Sequence, residues 1–185
     1  MPDEVLIRHC SPTLAGIKTG NIFTCTYDSK ESMMDEIREI NHKISPRGLC
    51  LIPMKFSKGK VLLYLYRPDR LGEDLSGHEA VRILEECGYR HFTRGACLSE
   101  LIKRLNTSEV FPHEIGLFLS YPTEDVRGFI ENHASGYKYS GLWKVYGDVS
   151  KARKTFATYQ KCTDVYRLQL KHGKSLADLA VRCKA

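Results

Sequence analysis

Leu49-Cys50-Leu51-Ile52-Pro53-Met54-Lys55-Phe56, then Ser57-Lys58-Gly59-Lys60, then Val61-Leu62-Leu63-Tyr64-Leu65-Tyr66 is the stretch that decides the class of fold. Two apolar runs flank a short polar turn containing a glycine, which is the pattern of an antiparallel hairpin. Pro53 has no N–H to give to a ladder, so its strand lies at an edge or carries a bulge. Arg67-Pro68 closes the pair.

The pattern changes on either side of the hairpin. Upstream, Met33, Ile37, Ile40 and Ile44 recur in steps of four, three and four, a helix with one apolar face. Asp28 and Ser29 offer N-caps to it, and Pro46 and Gly48 stop it. Before it, Ile22 to Tyr27 alternates like a strand, and Ser11 to Lys18 reads as a short helix with Pro12 in its first turn. Downstream, Ser76-Gly77-His78-Glu79 has the form of a capping box for a helix that runs to Cys87 and ends at Gly88. Ala96 to Leu105 is a further helix, with Leu98, Leu101, Ile102 and Leu105 inward.

Ile115 to Ser120 is nearly all apolar, as expected of a central strand covered on both faces. Tyr121-Pro122-Thr123 leads into a helix with Val126, Phe129 and Ile130 on one side, and Tyr137 to Tyr146 reads as a fifth strand. Asp148 caps a long helix whose stripe is Val149, Ala152, Phe156, Tyr159, Thr163, Tyr166 and Leu170. Gly173 ends it, and Ser175 begins a short terminal helix. One antiparallel hairpin together with strands separated by helices predicts an α/β protein. The expected architecture is a layered sandwich forming one domain over residues 1–185, with a mixed sheet of about five strands flanked by helices.

Composition narrows the function. The net charge of +6 is mildly basic, and Lys and Arg are mixed with Glu and Asp along most of the chain. A basic face on Arg90, His91, Arg94, Lys103 and Arg104, or along the last long helix, is read as solvated surface, and nucleic acid is not expected as a partner. No run approaches the ~20 apolar residues of a membrane helix. Met1-Pro2-Asp3-Glu4 is acidic where a secretory signal is basic, which places the protein in the cytoplasm without a membrane partner. The seven cysteines are odd in number, no two are three apart, and reduced thiols are expected.

Two segments carry the chemistry. In His9-Cys10-Ser11-Pro12-Thr13, a cysteine at a helix start has its thiolate favoured by unpaired N–H groups. In Phe111-Pro112-His113-Glu114, a histidine at the mouth of a buried strand can serve as its base. Cys10, His113 and Glu114 are the candidate catalytic set, acting on an acyl or amide-type substrate. Asn132 and Asp148 are alternatives for the third member. His9, Lys18, Asn21, Tyr121 and Trp143 are candidate ligand-binding residues, with Trp143 able to stack on a flat ligand such as a flavin. The bland alternative makes Cys10 a buried apolar thiol and His113 a hydrogen-bonding group at a strand end. His9, Cys10 and His113, with Glu114 as a further ligand, also suit zinc or iron, but no paired ligand spacing supports a metal. Gly16-Ile17-Lys18-Thr19-Gly20-Asn21 lacks the spacing of a phosphate loop. A small molecule or peptide is the expected ligand, and neither a cofactor nor an oligomeric state is legible.

The stretches His9-Cys10-Ser11-Pro12-Thr13-Leu14-Ala15-Gly16-Ile17-Lys18, His113 to Pro122, Glu124 to Ile130 and Gly141 to Asp148 together resemble an uncharacterised bacterial family. That family is domain of unknown function 3793, common in anaerobes. The resemblance implies no established activity. It suggests a setting in redox or iron metabolism, which leads to the second functional expectation: a non-catalytic ligand-binding or regulatory module.

Overall fold

Helix α1 (Asp3–Leu14) opens the structure, a computed structural model that describes residues 3–182. Its acidic first turn, Asp3 and Glu4, suits the positive end of the helix dipole. Leu6, Ile7, Cys10 and Leu14 then recur on one buried face. The helix therefore begins upstream of Ser11, and Pro12 lies in its last turn rather than its first. Strand β1 (Gly20–Thr26) follows. Helix α2 (Lys30–Ile44) is capped by the Ser29 hydroxyl, which accepts from the Ser32 N–H, and it buries Met33, Ile37, Ile40 and Ile44 as the spacing predicts.

A tight turn over Ser45–Arg47 ends at Gly48, whose φ of 74° is reached without strain only by glycine. Strands β2 (Cys50–Ser57) and β3 (Lys60–Tyr66) form the expected hairpin. The three strands make one antiparallel sheet in the order β1-β3-β2. β2 is thus an edge strand, and its register shifts between Pro53 and Lys55, so both expectations for Pro53 are realised. The exposed edge is partly covered by α2: the Asn41 amide donates to the Leu51 carbonyl and accepts from the Leu51 N–H, both at 2.8 Å.

The rest of the chain is short helices. They are α3 (Pro68–Ser76), α4 (His78–Glu86), α5 (Arg94–Thr107), α6 (Ile115–Phe118) and α7 (Thr123–Glu131). A two-stranded ribbon, β4 (Tyr139–Ser140) and β5 (Lys144–Val145), precedes the long helix α8 (Val149–Lys171) and the terminal turn α9 (Leu176–Leu179). The contacts divide the chain into two units, residues 1–69 with 161–185, and residues 70–160. In the first, Val61, Leu63 and Leu65 of the central strand pack with α1, α2 and α9 into one apolar core. In the second, Trp143, Val145 and Ala152 form a smaller core with Tyr121, Tyr139, Val149, Phe156 and Tyr159 packed on it. Among the described residues, no helix is long and apolar enough to cross a membrane.

Three expectations are corrected. Among the described residues the sheets are antiparallel, with three and two strands, in place of a mixed sheet of about five. Ile115 to Ser120 is the helical turn α6 and the bend after it, not a central strand. With no strand beside it, the run pairs its backbone locally: the Leu119 N–H bonds the Ile115 and Gly116 carbonyls, and the Tyr121 N–H bonds Gly116. Ser76 makes no capping box. Its hydroxyl donates to the Glu73 carbonyl at the end of α3, and Gly77 caps α4 without a side-chain bond.

One buried cation ties the first unit together. Arg67, 2% exposed, donates from Nε to the Thr13 carbonyl and from Nη2 to the carbonyls of Leu14 and Val181, at 2.7 to 2.8 Å. The last turn of α1 contains no basic residue of its own. Arg67 supplies the cation there and satisfies carbonyls that the helix end leaves open. Replacing it with methionine removes three charge-assisted bonds and leaves the Thr13 and Leu14 carbonyls with only the backbone N–H groups of Gly16 and Val181. We expect Arg67→Met to lose about 3 kcal/mol or more in urea unfolding, with Arg67→Lys recovering only a part because it has no fork of donors.

Candidate functional site

The second unit contains a cleft of about 390 Å3. Three segments build it. Phe111, His113, Ile115 and Gly116 come from the approach to α6 and from α6 itself, Tyr121, Asp125, Val126 and Phe129 from the bend after it and from α7, and Ser140 to Lys144 from the ribbon. Close packing requires glycine at particular points. A Cβ on Gly116 would meet Val126 at 2.8 Å and one on Gly128 would meet the Tyr146 ring at 2.4 Å, so α6, α7 and the ribbon approach through bare backbone.

Asp125 organises the site. It lies in the first turn of α7, 3% exposed, with a carboxylate that accepts three N–H bonds. Oδ2 takes the Trp143 indole N–H at 2.7 Å, and Oδ1 takes the backbone N–H groups of Tyr146 and Gly147 at 2.7 and 2.9 Å. One side chain thus fixes a segment that is too short to hold itself by strand pairing. Trp143 is pressed against Tyr121, ring centroids 4.6 Å apart, and meets Phe156 at right angles at 4.4 Å. Burial pushes the Tyr121 hydroxyl up to about 12, with Tyr159 adding to the shift, so it stays a neutral phenol. At the mouth, Phe111 and Leu142 are 49% and 56% exposed. His113 is also exposed and sets its ring against the edge of Phe129 at 4.9 Å.

Of the residues singled out from the sequence, His113, Tyr121 and Trp143 share this cleft. Glu114 does not face it. That carboxylate is buried, accepts the Tyr89 hydroxyl at 3.2 Å and stands 3.5 Å from Arg104 Nη1, which makes it a brace for α5. The Tyr89 hydroxyl is pushed up by burial and then by Glu114. Trp143 is a wall rather than a platform for a flavin, because Tyr121 and Phe156 already cover much of its ring.

His9, Cys10, Lys18 and Asn21 belong to the first unit. Cys10 sits in the third turn of α1, away from the helix start, and is fully buried in the apolar core. Burial pushes its thiol far up, so the dipole and solvent access that nucleophilic use requires are both missing. His9 stacks on Phe23 at 5.6 Å, its pKa lowered by burial and then by Arg8 and Arg167. The Asn21 Oδ1 accepts the Thr13 hydroxyl at 2.9 Å. Lys18 is 5% exposed, and burial brings its ammonium down to about 8. Among the described residues, no group of three or more His, Cys, Asp or Glu side chains could hold a metal ion; Cys183 lies outside the described residues.

Sequence reading missed Asp125. Its only local signal is a carboxylate in the first turn of a helix, and its partners lie 18 to 22 residues ahead. The model of the family described as Protein of unknown function (DUF3793) matches residues 6–180, and the chain belongs to that family. No curated protein and no solved structure matches it.

Two measurements check these placements. Asp125→Ala leaves three buried N–H groups without an acceptor, and we expect a loss of about 2–4 kcal/mol together with a red-shifted emission from Trp143, the one tryptophan. For Lys18, the folded chain releases the proton more readily than the unfolded chain, whose value is near the ordinary 10.5. The cost of the buried charge is full below pH 8 and fades as pH rises toward 10.5. Wild type compared with Lys18→Met should gain about 2–3 kcal/mol in relative stability between pH 7 and pH 10. Taking the difference between the two proteins cancels most of the opposing titration of Cys10.

Proposed function

We propose that this member of the family is a non-catalytic ligand-binding module whose ligand is a small molecule with an apolar body, seated in the cleft of the second unit. The observation that carries this reading is the cleft itself: about 390 Å3, with walls made mostly of aromatic and aliphatic side chains. That volume is in the range of small-molecule sites and is small for a folded partner. The walls are held in place before any ligand arrives, since Asp125 clamps the ribbon and Trp143 is packed on two sides. A site formed in advance loses little entropy on binding.

The chemistry inside supports binding over catalysis. Among the described residues, no cysteine lines the cleft. Asp125 is engaged by three donors, and Lys144 Nζ donates to the Ala134 carbonyl at 2.8 Å while resting over the Tyr137 ring. His113 is then the titratable group at the mouth with ring contacts alone, to Phe129 and Phe111. His113 shares the cleft with the Ser140 hydroxyl, but no hydrogen bond joins the two, and an imidazole not bonded to a nucleophile orients a ligand better than it breaks a bond. The redox and iron setting attached to the family resemblance is compatible with such a module and supplies none of these residues.

Trp143 emission provides the test. Titration with a broad library of fragment-sized aromatic and acyl compounds should yield hits that shift that emission and raise the melting temperature. Phe129→Ala should weaken them by about tenfold, the loss of one buried aromatic contact. A library that leaves Trp143 undisturbed, or hits indifferent to Phe129, overturns the proposal.

A further inference from the structure

We infer that the cleft selects an organic cation of low charge density, of the quaternary ammonium type; this rests on the reading above that the cleft is a ligand site. Its walls include Phe111, Tyr121, Phe129 and Trp143, and Asp125 forms part of the lining. The Asp125 carboxylate is almost wholly buried, and its partners are three dipoles: an indole N–H and two backbone N–H groups. Among the described residues no cation is paired with it. Its negative charge is therefore met by dipoles and by no ion pair of its own.

The aromatic wall acts in the same direction. Ring faces attract a cation through their quadrupole, and an apolar site favours a cation that surrenders its water cheaply. Trp143, covered by Tyr121 and Phe156, backs this wall, and Phe111 and Phe129 are the less covered rings that meet the ligand. The bond from the indole N–H to a carboxylate adds electron density to the Trp143 ring behind them, because neighbouring polar groups polarise one another. Lys144 also lines the cleft, but its ammonium is bound to the Ala134 carbonyl and the Tyr137 ring, neither of which belongs to the lining. A primary ammonium holds its water too strongly for such walls, whereas a methylated one spreads its charge over carbon.

The full chain is titrated with benzyltrimethylammonium and with its neutral carbon analogue neopentylbenzene, read by Trp143 emission. In a merely apolar cleft the neutral compound binds more tightly, because it costs less to desolvate. The inference expects the reverse, the cation binding at least about tenfold tighter. Asp125→Asn, which keeps the shape of the side chain, should abolish that preference. Should this variant fail to fold, Phe129→Leu, which keeps an apolar wall without its π face, should lower the preference severalfold. Equal or tighter binding of neopentylbenzene overturns the cation inference and leaves the binding cleft standing. Silence from both compounds, together with silence from the fragment library, overturns the binding reading as well.

Discussion

Short secondary elements leave backbone donors and acceptors open at their ends, and in this protein two buried charged side chains meet that requirement. Arg67 gathers carbonyls from Thr13, Leu14 and Val181. Asp125 gathers N–H groups from Tyr146, Gly147 and the indole of Trp143. The two solutions mirror each other: a cation for open acceptors in the first unit, an anion for open donors in the second. Each joins segments that no continuous ladder connects. Remove either charge and the segments it holds lose hydrogen bonds that tie them together.

The cleft is a consequence of this arrangement. A ribbon of two strands with two residues each cannot hold its own shape. Anchored to α7 by Asp125, it presents Trp143 as a fixed wall against Tyr121. Glycine at 116 lets α6 approach Val126 of α7, and glycine at 128 lets α7 approach Tyr146. The second unit thus stiffens one aromatic pocket, and Cys10 is part of the core of the first unit.

Periodic elements were legible from the chain alone. Met33, Ile37, Ile40 and Ile44 could be placed on one face of α2 because helical spacing is a local property. The β2–β3 hairpin followed from two apolar runs and a Lys-Gly turn, and the chemistry of Pro53 required an edge or a bulge, of which the strand has both. Ile115 to Ser120 was not legible, since a short apolar run fits a buried strand and a buried helical turn equally well. The start of α1 was misplaced for a related reason: Cys10 and Pro12 drew the reading toward Ser11, while Asp3 and Glu4 mark the true first turn. At the site, His113, Tyr121 and Trp143 were each noticed for their chemistry, and nothing local said that they share one cavity.

By itself the chain determined its hairpin, its amphipathic helices and the residue types from which a site can be made, because these depend on spacings of two to four residues. Only the tertiary structure decided that Cys10 is sealed in a core, that Glu114 braces Tyr89 and Arg104, and that Asp125 commands the cleft. Those outcomes depend on burial and on hydrogen bonds that span many residues, and a group's environment in three dimensions leaves no mark on its immediate neighbours in sequence.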